Sequence, residues 1–199
     1  MSPSRTALAL TAMFLLLAAV QPAYGQAYCA LRDPVSAIAN LMPEADSHRT
    51  HVRVVRKEHQ TALRELVNFT VMNAELGEHT LYVVFDDGKQ IGFVHTRTEK
   101  GRFGLNEYIW ALDTNLNILS YRHQRCRDPA RHRVDQDEMH ALLEGRSASE
   151  LAAMLDDQGL IRPDVMEFDG EDTLRYASSL VRSGVKTILI SRLVWTELF

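Results

Sequence analysis

Residues 81–121 read LYVVFDDGKQIGFVHTRTEKGRFGLNEYIWALDTNLNILSY, and this stretch decides the fold. Leu81–Phe85 is apolar and rich in β-branched and aromatic side chains. Asp86-Asp87-Gly88-Lys89 follows as a hairpin turn, because Gly tolerates the positive φ such turns need. Gln90–Thr98 is the return strand, with Ile91, Phe93 and His95 alternating along it. Glu99–Gly104 holds two glycines and turns the chain again. Leu105–Leu112 is the third strand, Asp113-Thr114-Asn115 the next turn and Asn117–Tyr121 the fourth strand. Strands joined by turns this short pair antiparallel, since parallel pairing needs a long crossover. The expected class is therefore α+β: an antiparallel meander of about four strands over 81–121, with helices before and after it.

Working outward, the N-terminal end reads as a leader. Ala7–Val20 is almost entirely apolar, the length of a signal-peptide core and short for a membrane span. Ala23-Tyr24-Gly25 puts small residues where signal peptidase reads, which places cleavage after Gly25, with Ala27 as the alternative. An uncleaved anchor is the competing reading. Cleavage leaves residues 26–199 as a single domain of ordinary size. The whole chain carries 22 Lys+Arg against 26 Asp+Glu, and Arg5 is the one charge in the leader. This mild acidity argues against general nucleic-acid binding, and no later apolar run is long enough to cross a membrane. The expected location is the periplasm or the exterior.

Two cysteines, Cys29 and Cys126, remain. In an oxidising compartment one disulfide between them is the simplest reading. The alternative is a free or metal-binding Cys126 beside His123 and His132, although that spacing fits no usual zinc pattern.

Before the meander, Asp33-Pro34 starts a helix, with a capping side chain and then Pro at the first helical position. Ser47–Val55 alternates weakly, as a strand would. Glu58–Val67 carries Ala62, Leu63, Leu66 and Val67 at helical spacing. After the meander, Asp135–Leu143 and Glu150–Leu155 read as helices, the second capped by Ser147 or Ser149. A long final helix begins after Asp169 or Asp172, with a break expected near Ser183-Gly184, because Gly weakens a helix interior.

The most unusual chemistry leaves the last strand. Tyr121–Arg133, YRHQRCRDPARHR, holds five arginines and two histidines in an otherwise acidic chain. Arg favours planar bidentate partners such as carboxylate and phosphate. The segment is therefore an anion or partner site, or else a solvated surface neutralised by Asp128, Asp135 and Asp137.

The order of these parts resembles a family. A meander is followed by Tyr121-Arg122, a helix ending in Glu144-Gly145-Arg146, then Asp164-Val165 and a Gly-containing turn into a helix. This is similar to the exported FMN-binding domain found in flavin-carrying subunits of sodium- or proton-linked electron-transport complexes and in stand-alone periplasmic relatives. The resemblance covers residues 81–185. It implies FMN as cofactor and a membrane electron-transport complex or another periplasmic protein as partner. The departures are specific. Where the family has Glu and then Gly after Tyr-Arg, this chain has His123 and Cys126. Where the family attaches FMN through its phosphate to Thr in Ser-Gly-Ala-Thr, this chain has Asp169-Gly170-Glu171-Asp172. Asp172 stands at the acceptor position, and Thr173 follows one residue late. Three carboxylates at a helix N-terminus would repel a phosphate by about a kcal/mol or more each, depending on solvation. The expectation is thus noncovalent FMN held by Arg122, Arg125, Gly170, Asp172 and Thr173, or a scaffold that has lost its cofactor. The alternative is a non-redox exported binding domain that docks an acidic partner or anionic ligand through its arginines.

Other constellations have simpler readings. No Gly-x-Ser-x-Gly surrounds any serine, so a serine hydrolase has no support. Tyr108 and Trp110 alternate with Ile109, which reads as core packing ahead of flavin stacking. His95 reads as a structural histidine. A catalyst is less expected than a binding or electron-transfer protein.

Overall fold

The computed structural model describes residues 30–199. In chain order the elements are α1 (Pro34–Leu41), β1 (Ser47–Val55), α2 (Lys57–Leu66), a 3-10 turn at Asn73–Glu75, β2 (Gly77–Asp86), β3 (Lys89–Gly101), β4 (Gly104–Leu112), β5 (Ile118–Arg125), α3 (Arg131–Val134), α4 (Asp137–Leu143), α5 (Ala148–Ala153) and α6 (Glu171–Val194), with a last 3-10 turn at Thr196–Leu198. The strands form one sheet in the order β1-β2-β3-β4-β5, and every neighbouring pair is antiparallel.

The α+β meander is as the sequence predicts, with one strand more. Ser47–Val55 pairs along the whole of β2, from Ser47↔Phe85 to Val55↔Gly77. Its alternation is weak because β1 is an edge strand with most of its side chains in solvent. The β2–β3 turn is Asp87-Gly88, both at positive φ, the two-residue geometry that suits the twist of a hairpin. Asp113 closes the β4–β5 turn, its Oδ1 accepting from the Asn115 and Asn117 amides at 2.8 and 2.7 Å. β5 runs four residues past Tyr121, so Arg122 and Arg125 belong to the sheet.

Pleat alternation sends side chains to two faces. One face carries Leu81, Val83, Phe93, Tyr108, Trp110, Leu112 and Tyr121, and α6 lies on it to make the larger core. The other carries Tyr82, Val84, Val94, Ile109 and Ala111 beneath Ile38 and Met42 from α1 and the turn after it. Asp33 caps α1, accepting from the Ser36 amide at 3.2 Å, with Pro34 in the first turn.

The expected break at Ser183-Gly184 is absent: α6 is continuous from Glu171 to Val194. Gly184 is there for another reason. A Cβ on it would lie 3.2 Å from the Trp110 ring and 3.3 Å from Leu151 Cδ1. The residue lets the helix approach the sheet, and Trp110 Nε1 donates to Ser183 Oγ at 3.1 Å at the same crossing. The helix expected over Asp135–Leu143 starts at Asp137, because Asp135 ends α3 and turns its carboxylate inward.

Candidate ligand pocket

β3 places polar residues on the apolar face: His95, Arg97 and Glu99 follow Phe93 at two-residue spacing, all buried. Burying charge is costly unless it is paired, and here the partners converge. Arg97 donates to Glu75 Oε1 at 2.5 Å and to His79 Nδ1 at 3.2 Å, while His79 Nε2 donates to the Glu75 carbonyl at 2.7 Å. Lys186 from α6 pairs with Glu99 and lies 3.7 Å from Glu75 Oε2. His95 Nδ1 meets Ser191 Oγ at 2.9 Å, and its ring packs edge-on to Trp195. Desolvation, reinforced by Arg97, pushes the His79 pKa down to about 3 and that of His95 well below its ordinary value. Burial raises the Glu99 pKa, with Lys186 opposing it.

A second polar chain runs from the β5 edge to α3. Asp135 Oδ2 lies 3.3 Å from His123 Nδ1, and its Oδ1 lies 3.2 Å from His140 Nε2. Among the described residues His123 Nδ1 makes no hydrogen bond, and its Nε2 shares one with the Tyr176 hydroxyl at 2.6 Å. Cys126 Sγ is 3.3 Å from the same hydroxyl. Burial lowers the His123 pKa to about 4, against the pull of Asp135, and keeps the Tyr176 phenol protonated.

Tyr176 also lines a cavity of about 590 Å³ between the β3–β4 turn and the first turns of α6. Its charged walls are largely paired. Arg102 binds Asp172, and Arg175 binds Glu171 through Nε at 2.9 Å and Nη2 at 2.5 Å. Arg182 and Lys100 complete the cationic side and Asp128 the acidic side, with Leu160 and Ser179 also in the wall.

The expected cofactor residues do not come together. Arg122 pairs across the ladder with Ile109, and Arg125 lies 3.9 Å from Glu107, so both belong to the α1 side of the sheet. Gly170, Asp172 and Thr173 start α6 on the opposite side. It is Arg133, further along the arginine segment, that shares a cleft with Asp169–Thr173. Gly170 caps the helix at φ +87°, with no side-chain cap. Thr173 is 3% exposed, and its hydroxyl is buried without a hydrogen-bond partner. Of the expected neutralisers, Asp135 pairs with Arg131 at 3.4 Å, while Arg122, Arg127 and Arg133 form no ion pair among the described residues.

Cys29 lies outside the described residues, and so does the leader. Ala30 is held beside β5: Gln124 Nε2 donates to the Ala30 carbonyl at 3.2 Å, and the Arg32 amide donates to Gln124 Oε1 at 3.0 Å. Arg32 Nη2 also reaches both Glu107 oxygens, at 2.9 and 3.1 Å.

Asp172 lines this cavity as well as the turn where the sequence places it, but the cationic side escaped sequence reading, because Lys100, Arg102, Arg175 and Arg182 come from two distant segments with no motif. The buried ion cluster did leave a signal: His95, Arg97 and Glu99 share the strand face of Phe93, and Lys186 interrupts an apolar helix stripe. No protein-family model matches the chain, and no curated protein matches it.

Proposed function

We propose that this chain is an exported binding domain of the FMN-binding-domain type that has given up attachment through phosphate, and that it takes a small ligand noncovalently in the cavity at the start of α6. FMN is the first ligand to test. The observation that carries the reading is the cavity itself. It adjoins the turn where the resemblance puts the cofactor, and its volume falls in the usual range for small-molecule sites, roughly 300–1,000 Å³.

The turn at Asp169–Thr173 does not fit covalent attachment. The Thr173 hydroxyl is shut away from solvent, and Asp172 at the acceptor position is tied to Arg102. For noncovalent binding, the Tyr176 ring and Leu160 supply the apolar surfaces of the wall, and the cations supply polar anchors. Flavin, when bound, carries the electrons, while the protein orients it and sets its electrostatics. A membrane electron-transport complex or another periplasmic protein is the proposed partner. The test is direct. Protein purified from the exported fraction should show the visible flavin band, or should acquire it and quench flavin fluorescence on titration with FMN. A colourless protein that leaves FMN fluorescence unchanged would sink the flavin reading.

A second reading rests on a separate observation. Arg122, Arg127 and Arg133 are exposed and form no ion pair among the described residues, which suits docking of an acidic protein partner. Replacing all three with Gln should abolish a salt-sensitive association and leave ligand binding in the cavity intact.

A further inference from the structure

We infer that Arg182 and Lys100 form an oxyanion seat in this cavity, so that its ligand carries a carboxylate or phosphate group and lodges it there, away from the N-terminus of α6. The inference rests on the proposed use of the cavity and deepens it.

The charges of the wall are unequal in their freedom. Glu171 is taken by Arg175 and Asp172 by Arg102. Asp128 Oδ1 accepts from the Ala130 amide at 3.0 Å. Glu99, the acid whose field reaches Arg182, is engaged by Lys186. Lys100 forms no ion pair among the described residues, and Arg182 makes one hydrogen bond there, from Nη1 to the Gly159 carbonyl. A guanidinium has five N–H donors, so most of Arg182's are uncommitted in a half-buried site. A cation in that position gains most from an anion that satisfies it in a bidentate way.

The seat is also built. The Asp156–Gly159 loop holds the Arg182 stem in place. Its Gly159 sits at φ +73°, and a Cβ there would come within 3.3 Å of Arg182 Cδ. Asp156 stiffens the loop by accepting from the Gln158 and Leu160 amides at 2.8 and 2.9 Å. Backbone and side chain are thus fitted to each other, which lowers the ordering cost of binding. Burial lowers the Arg182 pKa, the expected sign for a cation whose charge is not yet matched.

Titration of the full exported chain with FMN, with riboflavin, which lacks the phosphate, and with inorganic phosphate separates the two ideas. FMN should bind at least tenfold more tightly than riboflavin, and inorganic phosphate should compete with FMN but not with riboflavin. Arg182→Gln should bring FMN down to the riboflavin level, about a tenfold to hundredfold loss, with riboflavin unchanged. Lys100→Gln, at an exposed position that folding does not need, should weaken FMN in the same direction, and Arg182→Lys should restore part of the loss. If FMN fails to bind but phosphate binds the wild type and not Arg182→Gln, the seat stands and the flavin reading falls. Equal binding of FMN and riboflavin, untouched by either substitution, overturns the seat and keeps the flavin. No binding of any of the three overturns both.

Discussion

Gly184 and Gly88 illustrate how one residue type serves opposite ends. Gly184 lies in the middle of α6, where intrinsic preference favours Ala by about 1 kcal/mol. Its place against the fully buried Trp110 and Leu151 opposes that preference. Gly184→Ala should destabilise by about 1–3 kcal/mol through overpacking, measured as a lower denaturation midpoint at unchanged slope. Gly88 has open space around its Cβ position but sits at φ +74°. Gly88→Ala should cost about 1 kcal/mol from backbone strain alone, while Gly88→Asn, which tolerates that region, should cost less. Gly88 was legible in the sequence because turn chemistry is local. Gly184 was misread as a break because its reason lies on β4, more than seventy residues away.

At the scale of elements, the junction of β3 with α6 carries a buried ion cluster that an apolar core would not need. Lys186→Met should cost about 3–5 kcal/mol, because Glu75 and Glu99 would lose a buried counterion. Lys186→Met with Glu99→Gln should recover part of that loss. The histidines beside the cluster set a pH dependence. His79, His95 and His123 have folded pKa values held below the unfolded value near 6.5 by burial. The unfolded chain therefore binds more protons, and their contribution is complete above about pH 6.5 and is lost as pH falls toward the folded values. At pH 5 the loss is about 2 kcal/mol for a buried neutral histidine such as His79. Glu99, with its pKa raised, works in the opposite direction as the native state takes up its proton. The net expectation is a urea midpoint that falls between pH 7 and 5, with a shallower fall in His79→Gln. A midpoint flat across that window would refute the assignment of neutral buried histidines.

For the whole molecule, the Ala30–Arg32 stretch is fastened to β5 and β4 through Gln124 and Glu107. That places the start of the described chain near the strand leading to Cys126. Among the described residues Cys126 is a free thiol with its Sγ 3.3 Å from the Tyr176 hydroxyl, and a Cys29–Cys126 disulfide stays a proposal that rests on the sequence. Under non-reducing conditions, a protease digest should contain one peptide pair linking the two residues, collapsing on reduction. The mature N-terminus is expected at Gln26. Glu107→Gln should loosen the clasp, leaving the Arg32 pair weakened by about 1 kcal/mol and the first described residues more open to limited proteolysis. Recovery of the unprocessed chain from membranes would favour the anchor reading.

The meander, its turns and the existence of the flanking helices follow from local pattern: alternation along strands, glycines at positive φ and a capped helix start act within a few residues and so are written in order. The β1 pairing, the unbroken α6, the ion cluster and the cavity follow from which segments meet across the sheet. Chemistry groups Arg122 and Arg125 with the start of α6, but the pleat of β5 and its register shift opposite Glu107–Tyr108 send both to the other face. The cavity wall instead takes Lys100 from one strand end and Arg182 from one helix, because burial and pairing are properties of neighbours that the linear order of residues does not contain.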